Sequence, residues 1–167
     1  MNNRIVEKLD YEYLSDWDRY FIRMCITVAS KSKDPSTKVG SVVVDQQNTL
    51  VSAGYNGFPR RIADTDARLN SREEKYPRVI HAELNALLFS KRDITGCTLY
   101  ASAIPCDVCS LPIIQCGISR IVAIHNADYE TRWRDMIMRS LANFNEAGIE
   151  VIVVTGIDSD MKLLNQQ

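Results

Sequence analysis

The chain has 167 residues, 46% apolar and 25% charged, enough for one domain to bury a core without disulfide or metal staples. Twenty Lys and Arg against 21 Asp and Glu leave a net charge of −1, so the basic surplus that a grip on long nucleic acid needs is absent globally. The N-terminal stretch MNNRIVEKLDYEYLSDWDRY lacks a signal-peptide core, and no apolar run nears the ~20 residues of a membrane span. The expectation is a soluble, cytoplasmic protein that binds neither membrane nor nucleic acid: one domain over residues 1–167, with its core at about 17–154.

Ser15, with Asp18 three residues on, offers a capping-box start. Trp17, Tyr20, Phe21, Met24, Cys25 and Val28 then recur at helical spacing and predict a helix with that face toward the core. VGSVVVD (39–45) and Thr49–Tyr55, joined by the polar QQN, predict a β-hairpin. Residues 57–78 show no period and form a long connection. A helix from about Ile80 to Ser90, a strand at Thr98–Ala101, a helix from about Cys106 and a strand at Arg120–Ile124 follow. Pro112 inside the second of these helices predicts a kink one turn after Cys109. Trp133, Ile137, Leu141 and Phe144 mark a last helix, closed by Gly148, before a strand at Ile149–Val154. Five strands and about four helices predict a three-layer α/β/α fold around a central five-stranded mixed sheet.

Five cysteines, an odd number in a chain without an export signal, argue against a disulfide framework. Cys25, Cys97 and Cys116 sit in apolar contexts and read as core thiols. Cys106 and Cys109 differ. They stand in PCDVC (105–109) at a helix start, where spacing i, i+3 points both sulfurs one way and the helix N-terminus favours thiolate. Twenty-five residues earlier, His81-Ala82-Glu83 opens the preceding helix. Imidazole and thiolate are zinc ligands, and a catalytic zinc keeps three protein ligands and an open fourth position. His81, Cys106 and Cys109 supply the three, with Glu83 facing the fourth. A structural zinc module would close that position with another Cys or His, and the motif offers Glu83 instead. His125, the other histidine, has no partner motif and is not expected to ligate.

The order H-x-E followed by P-C-x-x-C is the signature of zinc-dependent base deaminases. With SKDPSTKVG (32–40), GYNGFP (54–59), HAELNA (81–86), PCDVC (105–109) and IIQCGI (113–118), the chain resembles the cytidine and deoxycytidylate deaminases from about Tyr20 to Val154. SKDPSTKVG and the Asn-Gly-x-Pro turn resemble the deoxycytidylate branch; free cytidine deaminases place Cys where this chain has His81. The resemblance implies zinc-dependent hydrolysis of dCMP to dUMP and ammonia for thymidylate synthesis, with Glu83 shuttling the protons and His81, Cys106 and Cys109 on Zn2+. Action on dCTP, or on both nucleotides, is the alternative. A nucleic-acid deaminase would need a stacking surface and a basic groove, against which the balanced charge argues.

By family position, Asn56 would contact the sugar; as a turn residue tolerating positive φ it has an equally good structural explanation. Ala82 and Tyr129 are implied near the nucleotide, and Lys33, Lys38 and Arg132 near the phosphate. The 57–78 connection adds Arg60, Arg61, Arg68, Arg72, Lys75 and Arg78 against four acids, a surplus suited to a phosphate or to salt bridges between subunits. Many family members are regulated by dCTP and dTTP through a Gly-Cys-x-Asp type segment after the Asn-Gly-x-Pro turn. Here Arg60-Arg61-Ile62-Ala63-Asp64-Thr65-Asp66 stands there, keeping an acidic pair but neither Gly nor Cys. A homo-oligomer, a hexamer by family analogy, is implied as well.

Overall fold

The β-branched runs pair into one mixed sheet in a computed structural model, which describes residues 6–157. Its strands are β1 (Val6–Asp10), β2 (Gly40–Val44), β3 (Leu50–Tyr55), β4 (Thr98–Ala101), β5 (Arg120–Ile124) and β6 (Glu150–Thr155), in the order β1-β6-β5-β4-β2-β3. The helices are α1 (Asp16–Ala29), α2 (Asp66–Asn70), α3 (Arg72–Lys75), α4 (Ala82–Phe89), α5 (Asp107–Gln115), α6 (Ala127–Arg132) and α7 (Arg134–Glu146). β2 and β3 form the expected antiparallel hairpin, β2 also runs antiparallel to β4, and β4, β5, β6 and β1 are parallel neighbours.

Alternation along the strands assigns the two faces. Val42, Val44, Tyr100, Val122, Ile124, Ile152 and Val154 pack beneath α1 with Phe21, Ile22, Cys25 and Ile26. Val43, Leu99, Ala101, Ile121, Ala123, Val151 and Val153 face the other way, against side chains of α4, α5 and α7. Strands buried on both faces read as unbroken apolar runs, which is why GSVVV and RIVAI were legible. The three-layer α/β/α arrangement is as expected. Cys25 and Cys97 are buried thiols and Cys116 packs against the core; all five cysteines are unbridged.

Three expectations need correction. Among the described residues the sheet has six strands rather than five. β1, whose VEKLD carries only two apolar residues, pairs with β6 from Val6↔Val151 to Asp10↔Thr155 at the sheet edge, where a strand needs little hydrophobicity. Among the described residues there are seven α-helices rather than about four, because α2, α3 and α6 are too short to show a period. The buried face of α1 lies one residue on from the predicted one: Asp18, Phe21, Ile22, Cys25, Ile26 and Ala29 are covered, while Trp17 and Tyr20 are 52% and 46% exposed. Apolar periodicity misses this face because its first member is an acid. α5 meanwhile runs through Pro112 and continues to Gln115.

Asp18 is tolerated inside because its carboxylate is fully engaged. It accepts from the Tyr100 hydroxyl at 2.7 Å, from Arg120 at 2.7 and 3.0 Å and from the Ser15 hydroxyl at 2.8 Å, tying α1 to β4 and β5. Burial alone would raise this carboxyl, but the bonds from Arg120, Tyr100 and Ser15 outweigh it and hold the group below the usual carboxylate range. Asp18→Ala leaves the half-buried Arg120 guanidinium with only the exposed Glu150 carboxylate, at 3.2 Å, and is expected to cost about 3 kcal/mol in urea unfolding at neutral pH. Because the folded pKa is depressed, the stabilisation is complete above the unfolded value of about 4 and is lost as pH falls through the folded one. The gap between wild type and variant should therefore narrow in acid.

Candidate active site

Two helix N-termini are brought face to face. Gly57 and Ile80 form an isolated antiparallel bridge, N–H to carbonyl at 3.0 and 2.8 Å, which sets residue 81 beside the end of β3. His81, extended at φ −69°, ψ 155°, is then the N-cap of α4. The helix lies almost in contact with the strand: Ser52 Oγ donates to the Ala86 carbonyl at 2.7 Å and Asn85 Nδ2 to the Tyr55 carbonyl at 2.8 Å. Gly54 permits this approach, since a Cβ there would lie 2.4 Å from the Ala82 oxygen and the Ala86 nitrogen. Cys106, extended at φ −76°, ψ 172°, is likewise the N-cap of α5. Arg139 Nε to Asp107 Oδ2 at 2.7 Å and Asn143 Nδ2 to Ser110 Oγ at 3.0 Å fasten α5 to α7.

The His81 Nδ1 atom is 3.4 Å from the sulfurs of both Cys106 and Cys109, and one ligand atom from each residue lies within 4.8 Å of the others. A tetrahedral ion with metal–sulfur and metal–nitrogen bonds of ordinary zinc length would hold N and S about 3.6 Å apart. The cluster is thus set for a metal ion with little movement. Among the described residues it is the one such group of His, Cys and acidic side chains. His125 instead meets Glu130 at 2.7 Å.

The electrostatics fit a cation site. Cys106 is pushed down chiefly by the neighbouring Cys109 thiol, against burial and with help from His81. The neighbouring Cys106 and burial push Cys109 up. His81 is raised to about 9 by its bond to Cys106, against burial. Two thiolates and a neutral imidazole would together carry two negative charges, the complement of a divalent ion, whose binding releases the remaining protons. Glu83, in the first turn of α4, is 3% exposed, with Oε2 at 3.8 Å from Cys109 Sγ. Burial raises its carboxyl.

His81, Glu83 and Cys106 open onto a cavity of about 350 Å³. It lies past the carboxyl ends of parallel β4 and β5, the usual place for a ligand in an open α/β sheet. Asn56, Ala82, Tyr129 and Arg132, all expected from the sequence, line it. Burial raises the Tyr129 phenol, and Glu83, Cys106 and Cys109 are close enough to raise it further. Lys33 and Lys38 are not part of the wall; Lys33 pairs with Asp64 at 2.9 Å, with its side chain 68% exposed.

Asn56 is not at positive φ, so the turn explanation does not hold. Its amide clips the adjoining loop instead: Oδ1 accepts from Val39 N–H at 2.8 Å and Nδ2 donates to the Thr37 carbonyl at 2.9 Å. Of the basic residues in the 57–78 connection, Arg72 and Lys75 reach the cavity. Arg68 and Arg78 pair with Glu74, and Arg60 lies over the Phe89 ring. Residues missed by sequence reasoning also line it, among them Asp34, Ser36 and Thr37 from the loop after α1, and Tyr76 and Trp133, whose rings meet edge-to-face at 6.2 Å. The SKDPSTKVG tract was the available signal for the first three.

The profile of the cytidine and deoxycytidylate deaminase zinc-binding region matches residues 15–125. The chain belongs to the cytidine and deoxycytidylate deaminase family. It is 42% identical over 139 residues to an uncharacterised deaminase from the luxG 3′ region of Aliivibrio fischeri, covering 83% of this chain and 93% of that one. To the human deoxycytidylate deaminase it is 35% identical over 148 residues, covering 83% and 79%. Its fold matches the dCMP deaminase of cyanophage S-TIM5, crystallised with dCMP and dUMP, at a TM-score of 0.65 and 22% identity, covering 84% of this chain and 99% of that one. The matched region of the deaminase profile contains His81, Glu83, Cys106 and Cys109. Among the described residues no helix is long and apolar enough to cross a membrane.

Proposed function

We propose that the protein is a zinc-dependent deaminase converting dCMP and water to dUMP and ammonia, the whole chain working as one domain. The observation that carries this reading is the His81, Cys106 and Cys109 cluster at a cavity that also holds the buried Glu83 carboxylate. The two sulfurs and Nδ1 would hold zinc in an open tetrahedral set. When bound, zinc supplies Lewis acidity that lowers the pKa of a water at its open position to near 7.

Glu83 does the proton work. Its carboxylate takes the water proton at an Oε atom and gives it to N3 of the cytosine ring as oxygen adds to C4. It then delivers the second proton to the departing amino group. The buried setting keeps the carboxylate from being levelled by bulk water. In this reading Tyr129 and the Ala82 backbone border the base, Asn56 holds the loop that borders the sugar, and Arg132 and Arg72, which line the same cavity, take the phosphate. Lys33 and Lys38, off the cavity wall, are not assigned to it.

We also propose a homo-oligomer. α4 and α5 are apolar on most sides yet leave Leu88, Phe89, Val108 and Leu111 exposed, surface that a second copy would cover. The exposed Arg60–Asp66 segment lacks the Gly and Cys of regulated members, so control by dCTP and dTTP is not proposed. Absorbance assays of the zinc-loaded protein on dCMP, dCTP, CMP and cytidine test the function. Turnover led by dCMP is expected; a preference for dCTP or for free cytidine would refute the assignment.

A further inference from the structure

The cavity wall holds a charged pair that the chemistry above does not use. Lys75 closes α3 and Asp34 lies in the loop after α1; their side chains are 7% and 9% exposed, with Nζ 3.0 Å from Oδ1. Such a pair is costly to desolvate, and apolar residues could replace it with little loss of stability. Its position on a ligand cavity therefore calls for a role toward the ligand.

Both partners have unused hydrogen-bonding capacity. An ammonium carries three N–H donors, and here they meet Asp34 Oδ1 and, at 3.3 Å, Ser36 Oγ, with no third acceptor among the described residues. Asp34 accepts from Lys75, from Ser36 N–H at 2.8 Å and from Thr37 N–H at 3.2 Å, all at Oδ1. Its Oδ2 has no donor among the described residues. A spare donor and a spare acceptor thus stand together in the cavity wall.

We propose that the Asp34–Lys75 pair binds the 3′-hydroxyl of the nucleotide sugar, Lys75 Nζ donating to the hydroxyl oxygen and Asp34 Oδ2 accepting its proton. The proposal rests on the reading of the chain as a nucleotide deaminase. A hydroxyl is the group that both accepts and donates. A phosphate only accepts, and it would face the charge of Asp34. Arg72 and Arg132 line the same cavity, are exposed and make no ion pair among the described residues, so they suit the phosphate. In a 2′-deoxynucleotide the remaining sugar hydroxyl is the 3′ one. A substrate lacking it leaves both charged groups short of a partner.

The test compares dCMP with 2′,3′-dideoxycytidine 5′-monophosphate on the zinc-loaded full chain, with the corresponding dUMP pair measured by calorimetry as a readout free of turnover. The 3′-deoxy compounds are expected to lose at least about 10-fold in kcat/KM and in affinity. In the double variant Asp34→Asn, Lys75→Met, which removes both charges and keeps an acceptor for the Ser36 and Thr37 amides, the discrimination should fall below about 3-fold. Equal handling of both sugars by the wild type would overturn the proposal, and so would full discrimination in the double variant. A double variant that loses its preference for dCMP over deoxycytidine, while still rejecting the dideoxy sugar, would place the phosphate at the pair and overturn it too. Should the double variant not fold, the wild-type comparison decides alone. Absence of dCMP turnover would count against the proposed function, whereas the calorimetric ratio would still judge the pair.

Discussion

Glu83→Gln is expected to lower kcat on dCMP by at least about 10³-fold while the bound zinc, measured by elemental analysis, stays at the wild-type level. General acid–base catalysis by one positioned group contributes about 10²–10⁴-fold, and Glu83 is asked to serve successive transfers, to N3 and to the leaving amine. The one other acid among the described residues of the wall, Asp34, is bonded at Oδ1 to Lys75, Ser36 and Thr37 and faces the sugar through Oδ2, so it does not take over. Glutamine keeps the shape and the buried position and cannot shuttle a proton. Since the carboxylate is outside the three-atom cluster, metal retention should be independent of it. Near-wild-type turnover by this variant would remove Glu83 from the mechanism, and loss of the metal would make it a ligand instead.

Cys106→Ser and Cys109→Ser are each expected to lose most bound zinc after dialysis against a mild chelator, and to lose activity with it. Zinc prefers thiolate, and with only three protein ligands the removal of one leaves two. Wild-type protein stripped by a strong chelator should be inactive and recover when zinc is restored. The folds of the variants should survive, because Cys106 and Cys109 are two small members of a core built mostly from aliphatic residues, stand at the start of α5 and belong to no strand. Circular dichroism close to wild type alongside absent zinc separates loss of metal from loss of structure. Cys25→Ser, on the opposite face of the sheet, should keep its zinc.

What could be read in the sequence was what is written locally. His81, Glu83, Cys106 and Cys109 are encoded in two short segments whose spacing reflects two helix starts, and the strands around them are continuous apolar runs. Three kinds of feature were hidden. β1 is an edge strand with two apolar residues, recognisable only by its partner β6, more than a hundred residues away. α1 was rotated by one residue because a carboxylate, Asp18, belongs to its inner face, and only Tyr100 and Arg120 make that burial tolerable. The cavity wall depends on tertiary pairing. Lys75 looked like one of several surface cations, and its meeting with Asp34, 41 residues earlier, has no local signature. The same holds for Lys33, whose family position pointed to the phosphate but whose ammonium is engaged by Asp64.

X-ray absorption at the zinc edge of the loaded wild-type protein probes the centre most directly. The predicted first shell is two sulfurs at about 2.3 Å with one nitrogen and one further light atom at about 2.0–2.1 Å. A shell of four sulfurs, one without sulfur, or a protein that retains no zinc would contradict a centre built from His81, Cys106 and Cys109.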